Sequence, residues 1–237
     1  MTTPTRLRSF AAGLALAFTT ATAVAATAPA PFTAQYQVLQ DGQAIGEATV
    51  SLKPLGDGNW EYSNATRGTA GLAAALGASS SETTRLRWNG GAPETVSYDY
   101  RMNAAIRSKQ RHVTVDWNAR QVTVDEGKGP TRYPTAPGLV DRNSAPLAVG
   151  LALGAGRQEV SLPVAVRKNV ENQHFKVAAT ESVQVPAGRF QAERVERTDS
   201  DRAFSAWYVP RQYPVPVKLT QQDGGNLELQ LVSYRSP

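Results

Sequence analysis

From Phe32 onward, apolar and polar residues alternate at period two through most of the chain. Phe32, Ala34, Tyr36 and Val38 interleave with Thr33, Gln35 and Gln37, which predicts a first strand with one buried face. Asp41-Gly42 is a hairpin signal, and Gly46, Ala48, Val50 and Leu52 line the next strand. The small residues at its start leave room for a close neighbour, read here as barrel-corner packing. Gly56-Asp57-Gly58 turns the chain into Trp60-Glu61-Tyr62. Thr83–Trp88 and Thr95–Met102 pair around Gly90-Gly91, with Val96, Tyr98, Tyr100 and Met102 on one face. Arg107, Lys109 and Arg111 form a basic row that shares parity with Val113, Val115 and Trp117. Asn118-Ala119-Arg120 then returns the chain into Val122 and Val124. Val160 to Val166 and Phe175 to Val185 are further strands. The pattern is densest from Glu181 to Tyr234, a meander turning at Pro186-Ala187-Gly188, at the Pro210–Pro216 loop and at Asp223-Gly224-Gly225.

Two stretches break the alternation. Leu72 to Leu76, between glycines, reads as a short helix or mobile apolar loop, serving as a lid over a cavity or a plug within one. Ala145 to Leu153 reads as a helix apolar on most sides, with Ser144 as N-cap, Pro146 in its first turn and Gly154 as its stop. The fold class is therefore all-β and mainly antiparallel. We expect a barrel or curved half-barrel of about a dozen strands with one short helix.

The N-terminus follows a different logic. Arg6 and Arg8 precede the short apolar run Phe10–Phe18, and Ala23-Val24-Ala25 offers small residues for cleavage. This order predicts a signal peptide over residues 1–25, a single β-rich domain over 26–237, and a periplasmic address. No other stretch predicts a membrane-spanning helix, so an integral membrane protein is not expected. The chain has no cysteine, so its core must hold it without disulfides. The formal charge of +5 is mild. It suits solubility and weak contact with anionic surfaces, and it argues against a nucleic-acid partner.

Catalytic and metal chemistry find little support. The two histidines, His112 and His174, sit in strand patterns and read as surface residues rather than metal ligands. Ser79-Ser80-Ser81 reads as a polar loop, not a nucleophile elbow. Asp199 and Asp201 flank a turn and are expected to point into water, while Asp116 and Asp125 are expected across one hairpin. We assign no catalytic residue, metal or cofactor and expect no enzyme. Arg107, Lys109 and Arg111 could bind anionic headgroups, but the reading favoured from sequence is solubility and edge protection. The strand aromatics carry more information. Trp60, Tyr62, Trp88, Tyr98, Tyr100 and Trp207, with Leu72 and Leu76 as cover, are the candidate ligand-lining residues.

Longer motifs extend the reading. They are Phe32-x-Ala34-x-Tyr36, Gly46-x-Ala48, Gly138 to Ser144, Val185-Pro186-Ala187-Gly188-x-Phe190, Trp207-Tyr208-Val209-Pro210, Tyr213 to Val217 and Leu227-x-Leu229-x-Leu231. Together they resemble the bacterial envelope family catalogued as domain of unknown function 3108. The resemblance spans nearly all of the chain after the signal. It implies a periplasmic, mainly antiparallel β protein and carries no catalytic residue to transfer. In layout the chain is also similar to lipoprotein carriers and lipocalin-like barrels. The leading functional expectation is a non-enzymatic periplasmic binding module for an apolar or amphipathic envelope molecule, such as a lipid. A structural protein that pairs with another envelope protein and a cell-wall glycan hydrolase stay open as alternatives.

Overall fold

The computed structural model describes residues 28–201, 203–222 and 226–237; the predicted signal and the Asp223-Gly224-Gly225 turn lie outside them. The first half of the chain is a meander. It contains β1 (Phe32–Gln40), β2 (Gln43–Gly56), β3 (Asn59–Gly68), α1 (Gly71–Ala75), β4 (Ser79–Asn89), β5 (Ala92–Ala104), β6 (Arg107–Asp116), β7 (Gln121–Asp125) and β8 (Thr131–Pro134). A two-residue strand, β9 (Val140–Asp141), and helix α2 (Ala145–Gly154) follow. The second meander is β10 (Glu159–Ala165), β11 (Val170–Val185), β12 (Gly188–Arg197), β13 (Phe204–Tyr208), β14 (Lys218–Gln222) and β15 (Asn226–Arg235). All fifteen strands join one sheet, in the order β8 through β1, then β15 down to β9. Every pairing is antiparallel except β9 with β10. The expectation of about a dozen strands and one helix was therefore slightly low.

The two ends of this curved sheet are joined by side chains and single backbone contacts. The Tyr133 hydroxyl of β8 donates to the Val166 carbonyl just beyond β10. Glu126, between β7 and β8, pairs with Arg167 at 2.7 Å. The Thr95 amide donates to the Leu139 carbonyl at 2.9 Å, tying β5 to the approach to β9.

Helix α2 lies on the concave side. Leu147 belongs to the core formed by Phe32, Tyr36, Leu52 and Leu231. Val149 and Leu153 pack with Val160, Phe175, Val195 and Tyr208. Ala145 and Ala148 meet Val140 and Val164. A helix apolar on nearly every side can be stable only where the sheet surrounds it, and that is its position. The Pro210–Pro216 loop folds in beside it. Tyr208 donates through its hydroxyl to the Pro146 carbonyl at 3.0 Å, and Tyr36 donates to the Pro216 carbonyl at 2.9 Å. Gly150 permits the contact, because a Cβ there would lie 2.2 Å from the Pro214 carbonyl oxygen.

Ser144 holds the N-cap position but does not cap with its side chain. Its hydroxyl is spent on Asp141, donating to that carboxylate at 2.9 Å. The Asp141 carboxylate in turn accepts from the Asn143 and Ser144 amides, fixing the turn that leads into the helix. The close approach expected at Gly46 is to strand backbone. A Cβ there would lie 2.5 Å from the Arg67 carbonyl oxygen. At Gly68 the obstacle is Ala73 of α1, at 2.6–2.7 Å.

Candidate functional site

The candidate site grows out of a mismatch in strand length. β6 has ten residues and β7 has five, and the β6–β7 ladder begins only at His112 opposite Asp125. Arg107 to Arg111 therefore have no β7 neighbour. The row does flank a locally open edge, as edge protection requires. It also occupies the inner face. Residues directly opposed in an antiparallel ladder point to the same side, and alternate residues share it. Tyr98 opposes Val113, and both are buried. The pairs Tyr100–Arg111 and Met102–Lys109 continue that same face. The apolar interior thus becomes basic toward this end of the sheet.

A groove of about 830 Å³ lies there, with walls from β5, β6, the β7–β8 loop, Arg142 and Arg167. Three of its arginines are held in place. Arg142 makes a two-pronged contact with Glu82, 3.1 Å on each branch, and its guanidinium carbon lies 4.8 Å from the Tyr100 ring centre. Burial alone would lower the Arg142 pKa, but the Glu82 carboxylate outweighs it and holds it above the ordinary value. Arg111 and Arg167 share Glu126. Arg101, Arg107, Lys109 and Lys128 also line the groove and pair with no carboxylate among the described residues. The lining therefore holds seven cations and one carboxylate, Glu126. Each guanidinium has five N–H donors, more than one carboxylate can accept, so the held arginines keep donors for an anion.

Behind the groove is a polar cluster that fixes its back wall. Asp141 is fully buried and accepts from the hydroxyls of Thr84 at 3.0 Å and Thr95 at 2.7 Å, and from Ser144. Burial raises its pKa, with these hydrogen bonds opposing the rise. Asn143 donates to the Tyr62 carbonyl at 3.2 Å and to Thr84 at 3.0 Å. Arg142 sits between these two anchors in sequence, so the cluster that seats α2 also aims the guanidinium into the groove. Tyr98 donates through its hydroxyl to Glu82, and its pKa is raised, first by burial and then by that carboxylate. The Tyr133 hydroxyl at the seam is pushed up to about 12 by burial.

The eight ligand-lining candidates do not share one site. Tyr100 lines the groove. Tyr62 and Tyr98 are core residues around the Asp141 cluster, each 3% exposed or less. Trp60 and Trp88 pack edge to face, 6.1 Å apart. Trp207 lies on the opposite face of β13 from the buried Tyr208, where its ring nitrogen donates to Glu181 and Lys218 lies over its ring. Leu72, on α1, is 73% exposed, and Leu76 is half-buried. Sequence reasoning missed Glu82, Glu126, Lys128, Arg142 and Arg167. They come from four separated segments, and only the curvature of the sheet brings them together.

The carboxylates weighed for catalysis have structural work. Asp116 opposes Gln121 while Asp125 opposes His112, so the two stand at opposite ends of one ladder rather than across from each other. Asp116 accepts from the Asn118 and Ala119 amides, and Asp125 from the Gly127 amide. Asp199 does not simply face water. It grips Arg197 at 2.8 Å and accepts from the His174 amide at 2.8 Å. His112 pairs with Asp99 at 2.8 Å on the surface, and His174 meets Ser161.

Comparison with known proteins agrees with this architecture. A family model described as protein of unknown function (DUF3108) matches residues 32–232, and the chain belongs to that family. The fold is similar to the crystal structure of a beta-barrel-like protein of domain of unknown function DUF1849 from Brucella abortus. That similarity has a TM-score of 0.56 at 9% identity, covering 89% of this chain and 99% of the other. No curated protein matches the chain.

Proposed function

We propose that the protein is an exported, non-enzymatic binding module whose groove takes the anionic head of an amphipathic envelope molecule. The observation that carries this reading is the basic continuation of the inner sheet face, with Lys109 and Arg107 unpaired beside the held Arg111 and Arg142. Several cations in one concavity raise the local concentration of an anion, and salt weakens the effect. The fixed guanidinium groups supply direction, since a planar fork suits a phosphate or carboxylate. Export rests on the basic, apolar, small-residue order of residues 6–25.

Calorimetric titration with soluble short-chain lipids tests the reading. Dihexanoyl phosphatidic acid should bind, and dihexanoyl phosphatidylcholine should bind far more weakly. Lys109→Glu with Arg107→Glu should weaken the anionic lipid by about tenfold or more, since each reversal replaces an attraction with a repulsion. Equal binding of both lipids, or an unchanged affinity in the double variant, would remove the groove from consideration.

A further inference from the structure

The rim of the groove carries two apolar side chains that the fold does not use. Ile106 is 83% exposed and Leu72 is 73% exposed. Ala104 opposes Arg107, so Ala105 and Ile106 form the two-residue tip between β5 and β6. An exposed loop tip ordinarily takes polar residues or glycine. An isoleucine there contributes nothing to the core. Leu72 sits on α1, at the same end of the sheet, because the β3–β4 and β5–β6 connections of a meander emerge together. The Ala105 amide donates to the Leu76 carbonyl at 2.9 Å, which fastens the end of α1 to the tip bearing Ile106. Arg107 follows directly, and Lys109 and Lys128 lie just behind.

We infer that this rim docks on an anionic bilayer surface. Ile106 and Leu72 enter the boundary between headgroups and acyl chains, and Arg107, Lys109 and Lys128 meet the lipid phosphates. Two exposed apolar side chains beside unpaired cations match a bilayer interface, which is apolar below and negative above. A protein partner would ordinarily require a larger continuous apolar area. The inference goes beyond the groove reading, because it adds Ile106 and Leu72, which do not line the groove, and has them share Arg107, Lys109 and Lys128 with it. Docked in this way, the groove would open at headgroup level.

The test is co-sedimentation of the purified protein with vesicles, wild type and variants carrying the same sequenced N-terminus. Mixed phosphatidylcholine–phosphatidylglycerol vesicles should retain the wild type at low salt, and phosphatidylcholine vesicles should not. Leu72→Ser with Ile106→Ser should cut retention by about fivefold or more, from the lost apolar insertion. That variant should still titrate with soluble dihexanoyl phosphatidic acid, which separates docking from the groove. Ile106→Trp should show blue-shifted emission on the mixed vesicles. Equal retention of wild type and double-serine variant, equal retention on both vesicle types, or unshifted Ile106→Trp emission would each overturn the inference. So would apolar substitutions that alter only self-association in sedimentation equilibrium.

Discussion

Replacing Gly150 with alanine asks whether α2 is seated against the Pro210–Pro216 loop. Two effects oppose each other. Alanine is the better helix former by about 1 kcal/mol at an interior position. Against this, its methyl would lie 2.2 Å from the Pro214 carbonyl oxygen, 2.8 Å from the carbonyl carbon and 3.1 Å from the Tyr208 ring. The nearest obstacle is backbone, which cannot swing aside as a long side chain can. Relief requires α2 and the loop to part by about 1 Å, straining the bond from Tyr208 to Pro146. Overpacking of this kind costs about 3 kcal/mol, at the upper end of its ordinary range. The net expectation is a loss of about 2 kcal/mol. In a domain of this size, that lowers Tm by about 4–8 °C. Gly154→Ala is the control, since its Cβ would meet only the Pro210 carbonyl oxygen, at 3.2 Å. Urea denaturation followed by tryptophan emission, with thermal melts alongside, measures both variants. If Gly150→Ala is as stable as Gly154→Ala, or more stable than wild type, the helix does not sit against the loop as described.

Two further outcomes follow from local geometry. Gly188 follows the Pro186-Ala187 turn with φ of 137°, a conformation that β-branched residues avoid. Gly188→Val should therefore lower the denaturation free energy by about 1–3 kcal/mol, and an unchanged midpoint would contradict the turn. The Asp199 carboxyl is held at about 2, below its ordinary 3.8, mainly by the Arg197 hydrogen bond, with burial opposing it. A depressed acid stabilises the fold fully above its unfolded pKa, so this contribution should disappear as pH falls from about 4 to about 2. Asp199→Asn should flatten that part of the acid-unfolding profile, and parallel profiles for the two proteins would rule out the linkage.

Much of the sheet was legible from period two alone. The alternation of Phe32 to Val38 and of Gly46 to Leu52 predicts buried faces that the β1–β2 register reproduces. The turn at Asn118 to Arg120 and the helix after Ser144 also stand where the residues place them. Other features depend on relations between distant segments. The parity of Arg107, Lys109 and Arg111 with Val113 predicts a common face, but not that β7 stops short and leaves that face open. Ser144 carries an N-cap signal, yet a buried Asp141 three residues earlier competes for its hydroxyl. Alternation fixes faces within a strand, not position along the barrel, so it does not tell which of the aromatics stand together. Tyr100 and Tyr98 are two residues apart on one face, yet one lines the open groove and the other is buried in the core.

The strand order inverts the usual relation between chain ends and sheet edges. The edges, β8 and β9, come from the middle of the chain, whereas the first and last strands, β1 and β15, pair at the centre of the sheet. Each half is a meander whose contacts are mostly between sequence neighbours. The ladder that unites them joins residues nearly the whole chain apart, as in the bond from Ser233 to Gln35. Closing a loop of that span costs about 5 kcal/mol of chain entropy, and little of the sheet's register depends on it until it forms. Removing β1 or β15 would therefore not fray an edge strand. It would cut the sheet down the middle, leaving two curved halves, each with a newly exposed edge where the wall had been continuous.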